Sequence, residues 1–356
     1  MIAASDSAVV SWLDGARRQL WRALLRCGLG PRFISDRSAR VVLVAMFSLL
    51  VALLCTALAP LWLLLLGPLL LGVPHVIADV RYLLLRPPQR LGRARLYGIV
   101  APLAAMTIER ALVLAGAAPH LGFETACGVI AVAAAIGAVP LRELGARQAV
   151  ALVGWLAVGA WLVANPRLTA LLLGHAHNLI ALVLWLSLSR GEGPWRRYAS
   201  VALAYGAVAL LILSGGLEPI GRALGVTSGS AAGLALADMT RLLAPGIASP
   251  WAERLVLLFC FAQSVHYSVW LRLVPSNQHY YARQGPSTFR SNIDALRRDL
   301  GRWGFALALV STLAVPTLAV FDPVRTRAAY LSLVLFHGWL EIAAGAALWL
   351  RARPRR

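Results

Sequence analysis

Long apolar stretches alternate with short polar ones along the whole chain. Ten stretches are apolar over about 18 residues or more, the length that a helix needs to cross the hydrocarbon core of a bilayer. They cover residues 41–58, 60–86, 97–116, 122–140, 148–164, 168–189, 199–217, 252–273, 304–321 and 328–350. Because a backbone inside a bilayer has to satisfy its own hydrogen bonds, such stretches form α-helices. We therefore predict an all-α, polytopic transmembrane bundle of about ten helices within residues 41–350.

The cationic residues indicate the orientation of this bundle. Hydrophobic residues make up 59% of the chain, and all 34 cationic residues are arginines. Most arginines fall in alternate polar segments, at residues 17–40, 86–95, 142–147, 190–197, 272–302 and 351–356. Under the positive-inside rule, this alternation places both termini on the cytoplasmic side of an inner (cytoplasmic) or equivalent cell membrane. Anionic lipid headgroups then account for the net charge of +19, and we expect no nucleic-acid partner.

The polar segments outside the bundle allow fewer conclusions. Residues 1–40 form a basic arm, in which residues 8–28 are either an amphipathic helix on the inner membrane surface or an ordinary cytoplasmic helix. Residues 351–356 form a basic tail. We expect residues 218–251 outside, with one short helix, and residues 274–303 inside. The inner segment either closes over the end of the bundle or is a solvated linker.

Five of the seven histidines lie inside predicted spans. They occur in the segments GVPHVIAD (His75, Asp79), LLLGHAHN (His175, His177), QSVHYSVW (His266) and FHGWLE (His337, Glu341). Imidazoles and carboxylates are costly inside a bilayer, so they usually face the bundle interior and mark a functional site. The other two, His120 and His279, fall in polar loops, and we predict that both are surface residues.

The four histidine-bearing spans are the second, sixth, eighth and tenth, so all four run in the same direction. Their histidines lie at similar depths, which predicts that they meet. His175 and His177 are two residues apart and point to nearly opposite sides of a regular helix, so only one can face the centre. The short echo between LLLGVPH and LLLGHAH aligns His177 with His75 and favours His177. The predicted metal ligands are His75, His177, His266 and His337.

Two acids accompany these histidines. Asp79 follows His75 by four residues, and Glu341 follows His337 by four residues, so each pair lies on one side of its helix. Such a carboxylate ligates the metal directly or holds an imidazole through its other ring nitrogen. We predict that both acids belong to the catalytic site.

The chemistry of these ligands leaves several functions open. Imidazole and carboxylate suit iron, zinc, copper or nickel. Apolar surroundings favour non-haem Fe(II) that acts on O2 and a lipid-soluble substrate, followed by copper and then by zinc hydrolysis. One alternative is a transporter or a proton or ion pathway protein with a buried His/Asp/Glu relay, for which broken helices in inverted repeats would be typical. Another is a membrane scaffold without catalysis.

The GVPHVIAD segment resembles the first histidine motif of the Brp/Blh family of membrane carotene oxygenases. That motif is a Gly-x-Pro-His run with an Asp four residues after the His. The resemblance implies a polytopic protein that cleaves β-carotene centrally to retinal with histidine-bound iron. It implies that His75 is an iron ligand with Asp79 as its neighbour, and that His177, His266 and His337 supply the remaining ligands.

Overall fold

The computed structural model describes residues 2–26, 36–87, 91–137, 145–225, 230–277 and 289–351. These residues form a helical bundle with one two-stranded hairpin. In chain order the elements are α1 (Ile2–Arg26), α2 (Arg37–Leu58), α3 (Pro60–Leu85), α4 (Arg93–Leu114), α5 (Leu121–Gly137), α6 (Ala146–Ala164), α7 (Pro166–Leu188), α8 (Trp195–Leu213), α9 (Glu218–Ala223), β1 (Ser230–Ala231), β2 (Leu234–Ala235), α10 (Leu236–Leu243), α11 (Trp251–Leu273), α12 (Phe289–Phe321), α13 (Pro323–Leu333) and α14 (Phe336–Arg351).

The predicted fold class is confirmed. Within the described ranges, nine helical segments are long and apolar enough to cross a membrane, with α13 and α14 together forming the ninth. The fourth predicted span corresponds to α5, a shorter apolar helix of 17 residues. His279 and residues 352–356 of the predicted tail lie outside the described residues.

Burial shows which helices occupy the centre of the bundle. In the most apolar window of each helix, 61% of α11 and 50% of α3 is buried, against 6% of α6 and none of α12. The apolar faces of the peripheral helices are left exposed, as expected for surfaces that contact lipid. The two central helices carry His266 and His75, so the histidines lie in the middle of the bundle.

The backbone of α3 departs from regular α-helix on both sides of His75. Residues Gly67–Gly72 and Val80–Leu85 form π-helical turns, and the α-helical segment Val73–Asp79 lies between them. Pro74 has no N–H to donate and cannot maintain the regular ladder, which accounts for the disturbance beside it. Since π turns often occur at functional sites, this segment marks the surroundings of His75.

The last predicted span is interrupted. Its helix stops at Leu333 and resumes at Phe336, with a turn at Val334 and Leu335 between them. His337 is the second residue of the new helix, so the break sets the direction of its side chain. The hydrophobic pattern had predicted one continuous helix over 328–350.

The predicted inner connection is helical from Phe289 onward, and this part of it contacts α3 through an ion pair. Asp299 forms ion pairs with Arg81 of α3 and with Arg86, the residue that follows α3. Its Oδ2 lies 2.7 Å from Nε of Arg81, and its Oδ1 lies 2.6 Å from Nη2 of Arg86. The helix then bends at Gly301, whose φ of 68° lies in the left-handed region that favours glycine. Residues 289–300 therefore contact the C-terminal end of α3, the helix of His75 and Asp79.

Candidate metal centre

The four predicted histidine ligands come together at the centre of the bundle. Ring centroids lie 5.2 Å apart for His75 and His266, and 5.1 Å apart for His75 and His337. The ring of His177 lies 5.1 Å from each of those of His266 and His337, and the last two are 6.0 Å apart. Helices that are distant in sequence thus bring four imidazoles to one point.

These separations suit a single metal ion. A metal–nitrogen bond of about 2.0–2.1 Å places a coordinated imidazole centroid about 3.2 Å from the ion, so two rings at a tetrahedral angle have centroids about 5 Å apart. Ligand atoms of His75, His266 and His337 lie within 4.8 Å of one another. His177 is not part of this closest set, although its ring contacts two of the three. The donor set is therefore three converging imidazoles with a fourth beside them.

Backbone carbonyls fix the tautomer of three of these rings. Nδ1 of His75 donates to Leu71 O across 3.3 Å, and Nδ1 of His177 donates to Leu173 O across 3.0 Å. Nδ1 of His337 likewise donates to the carbonyl of Val334. A carbonyl can only accept, so Nδ1 carries the proton and Nε2 keeps its lone pair. Metal-binding histidines are usually held in this way through the other ring nitrogen.

His266 lies beside a carboxylate instead of a carbonyl. Its Nε2 lies 3.5 Å from Oε1 of Glu341, and the same oxygen accepts a 2.7 Å hydrogen bond from Nε1 of Trp270. The side chain of Glu341 has no exposed surface, and that of His266 is 1% exposed. The carboxylate of Glu341 thus lies directly beside the imidazole of His266.

Asp79 also lies in the interior, next to Glu341. Its residue surface is entirely buried, and neither carboxylate oxygen has a hydrogen-bond partner among the described atoms. The two carboxyl groups interact electrostatically. Both follow the histidine level by one helical turn, which places them toward the predicted inner side. Their catalytic role stays a prediction.

The other histidines in the described chain are placed away from the centre. His175 turns from the cluster, with its Nε2 donating to Leu243 O of α10 across 2.8 Å and its ring packed edge-on against Phe259. The structure thus assigns the inward position to His177. His120 is a surface residue as predicted, with its side chain 70% exposed.

A cavity of about 220 Å³ opens from the histidines toward the predicted outer end. All four clustered histidines line it, whereas Asp79 and Glu341 do not. Its apolar wall includes Met106, Leu173, Phe259, Leu331, Leu335 and Trp339. A ligand in this cavity would therefore meet the imidazoles on one side and hydrocarbon on most of the others, with the carboxylates behind the histidines.

Sequence reasoning missed several polar residues of this wall. Arg110 of α4 forms an ion pair with Glu124 of α5, and both residues line the cavity. Tyr330 also lines it, with its hydroxyl buried and without a partner among the described residues. Charged residues inside apolar stretches were the sequence signal that could have identified Arg110 and Glu124. The sequence contains no comparable signal for Tyr330.

Further polar residues surround the histidines. Tyr267 lies with its ring 4.8 Å from that of His75 and accepts a 3.1 Å hydrogen bond from Gln263. Asn178 donates to Gly174 O, and its own Oδ1 is buried without a partner among the described residues. Comparison with protein-family models, curated proteins and solved structures found no significant match.

Proposed function

We propose that this protein is an integral membrane metal enzyme of the oxygenase class, with Fe(II) held by His75, His177, His266 and His337. The observation that carries the proposal is the convergence of four buried imidazole rings from four helices, with ligand atoms of His75, His266 and His337 within 4.8 Å of one another. Imidazole donors suit iron, copper and zinc, and the adjacent apolar cavity favours non-haem iron that acts on O2 and a lipid-soluble substrate.

The cavity supports an apolar substrate. Its wall is mostly hydrocarbon and it lies within the membrane-spanning part of the bundle. Ligand pockets for whole small molecules measure about 300–1,000 Å³, so a cavity of about 220 Å³ encloses only part of a long lipid. We propose that it holds the reacting segment of a carotenoid or another polyene lipid, which agrees with the resemblance of GVPHVIAD to the carotene oxygenases.

Each part of the site has a role in this proposal. A metal bound by these histidines would supply the activation of O2. The carbonyls of Leu71, Leu173 and Val334 hold the imidazoles in the metal-binding tautomer, and Glu341 orients His266 through Nε2. The apolar wall excludes water from the reacting double bond and positions it beside the histidines.

Metal analysis and turnover together test the proposal. The full chain, purified without oxygen, is expected to carry about one equivalent of iron and to consume O2 as it cleaves β-carotene to retinal. His175→Ala should keep the iron, because His175 bonds to Leu243 and does not face the centre. Full occupancy in both His75→Ala and His337→Ala would end the metal assignment. Iron without O2-dependent cleavage would end the carotene assignment and leave the metal site.

The buried pair Asp79 and Glu341 favours a second candidate function. Two adjacent carboxyl groups behind a histidine cluster can pass protons toward Arg81 and Asp299 on the predicted inner side. The protein would then be a proton or ion pathway. Proton flux into liposomes that contain the purified protein would support this function if Asp79→Asn abolished the flux. If the metal-loaded wild-type protein showed no proton flux, the pathway function would be excluded.

A further inference from the structure

The cavity is polar at both ends. The four histidines line it, and so does a second polar set made of Arg110, Glu124, Thr125 and Thr169, which we place at the opposite end from their positions along α4, α5 and α7. This second end lies close to the ends of helices, because Arg110 is four residues from the last residue of α4 and Thr169 is three residues after the first of α7. A ligand that fills the cavity therefore has one end beside the histidines and the other beside an ion pair.

The distance between the two ends of the cavity follows from the positions of three residues along helix α7. Thr169, Leu173 and His177 follow one another at four-residue spacing, and all three line the cavity. At about 1.5 Å of rise per residue, the eight residues from Thr169 to His177 span about 12 Å, roughly the length of an extended ten-carbon chain. The wall between them, with Leu173 and Met106, is apolar.

The charges at the outer end favour a neutral polar group over an anion. Arg110 forms an ion pair with Glu124, and its Nε lies 3.8 Å from Oε2 of Glu109. The three side chains are 10–13% exposed, so solvent screens them little. Two carboxylates face one guanidinium, and the exposed His120, with Nδ1 3.9 Å from Oε1 of Glu109, is a further basic group beside them. The two acids disfavour a further anion at this place. A hydroxyl group can instead donate to a carboxylate and accept from the guanidinium.

Thr169 adds a second contact for such a group. Its hydroxyl donates to Leu162 O across 2.8 Å, so its oxygen lone pairs remain available as acceptors, and the residue is 3% exposed. The outer end thus offers acceptors and one charged donor in a largely dehydrated setting, where hydrogen bonds discriminate strongly between polar and apolar ligands.

From this geometry we infer that the ligand is amphipathic, with a terminal hydroxyl bound at Arg110 and Glu124 and a hydrocarbon chain that reaches the histidines about 12 Å away. This inference deepens the proposed function and rests on it for the identity of the reacting end. It makes a hydroxylated polyene or a long-chain alcohol a better ligand than a hydrocarbon or a fatty acid of the same length.

Binding of three ten-carbon probes tests the inference without any metal. Radiolabelled 1-decanol, decanoate and decane are equilibrated with the chelator-treated full chain in nanodiscs, with empty nanodiscs as the blank. Decanol is expected to bind at least about ten-fold more tightly than either of the others, on the basis of one hydrogen bond to a charged group. Equal affinity for decanol and decanoate, or for decanol and decane, would overturn the inference.

Two variants test whether Glu124 and Thr169 cause the preference for decanol. Glu124→Gln leaves the charge of Arg110 opposed only by Glu109, so decanoate affinity should rise and decanol should lose its advantage. Thr169→Val, which keeps the shape of the side chain, should weaken decanol about five-fold and leave decane unchanged. Glu253→Gln, outside the cavity wall, is the control, and unaltered thermal unfolding of each variant verifies its fold. Unchanged selectivity in both folded variants would refute the proposed hydroxyl site.

The result separates this inference from the proposed function. Selective alcohol binding in a protein that never retains iron would keep the amphipathic ligand and exclude the oxygenase. Iron-dependent cleavage of β-carotene together with no preference for decanol would keep the oxygenase and exclude the hydroxyl site.

Discussion

Trp270 donates its indole N–H to Oε1 of Glu341 across 2.7 Å, between two helices that are both buried at this level. The same carboxylate oxygen lies 3.5 Å from Nε2 of His266. An indole can only donate, so it holds the carboxylate in the orientation that faces His266. In the proposed metal centre, Glu341 and Trp270 would act through His266, as positioning residues.

Glu341→Gln and Trp270→Phe are expected to weaken metal binding by about 10–100-fold, the usual loss when a group that supports a metal-bound histidine is removed. Metal affinity of the purified variants, measured by competition with a chromophoric chelator, is the readout. Trp349→Phe, at a position that is 57% exposed, provides the matched control. Wild-type affinity in both variants would show that His266 does not depend on Glu341.

His177→Ala and His175→Ala compare two histidines that are two residues apart on one helix. We expect His177→Ala to lower the bound metal together with His75→Ala and His337→Ala, because a missing imidazole removes a coordinate bond. His175→Ala should keep wild-type occupancy in elemental analysis. Loss of metal in His175→Ala alone would contradict the orientation of α7.

Gly128→Ala should destabilise the bundle, since a Cβ at this position of α5 would overlap the indole ring of Trp339 on α14. Overpacking of this kind costs about 1–3 kcal/mol. Gly154→Ala is the control, because a Cβ there meets no atom within 4 Å and Ala favours the helix. Thermal unfolding in detergent is the measurement, and equal stability of the two variants would show that α5 and α14 are less closely packed.

Asp299→Ala should release residues 289–300 from the inner end of the bundle. The Asp299 side chain is 6% exposed, and its removal leaves Arg81 without its carboxylate partner, at a cost on the order of 3 kcal/mol. Faster tryptic cleavage at Arg297 and Arg298 is the expected result. Asp294→Ala, at an exposed position of the same helix, should be cleaved at the wild-type rate.

A cysteine placed at Ser230, in a chain whose native cysteines are replaced, tests the predicted orientation. Ser230 is exposed in the hairpin between α9 and α10. The arginine distribution places this segment outside, so a membrane-impermeant thiol reagent should label it in intact cells. Labelling only after permeabilisation would invert the predicted topology.

The sequence by itself determined the helical class of the fold and most of the span boundaries. The length of an apolar stretch is a local property of the sequence, and the thickness of the bilayer core sets the length that a spanning helix needs. The described helices therefore follow the predicted stretches closely. The prediction that His75, His266 and His337 converge also followed from local information. Each is a polar side chain inside an apolar stretch, the three lie at similar depths, and their helices run in the same direction.

Only the tertiary structure decided how these residues are used. The break at Val334 and Leu335, which orients His337, has no local signal, because an apolar stretch continues through it. A short sequence echo favoured His177 over His175, but the physical basis of that choice is the contact of His175 with α10 and of His177 with the central imidazoles. The pairing of Arg110 with Glu124 joins two helices across a loop. Such relationships depend on how helices pack around one another, and periodicity along one helix carries no information about its neighbours.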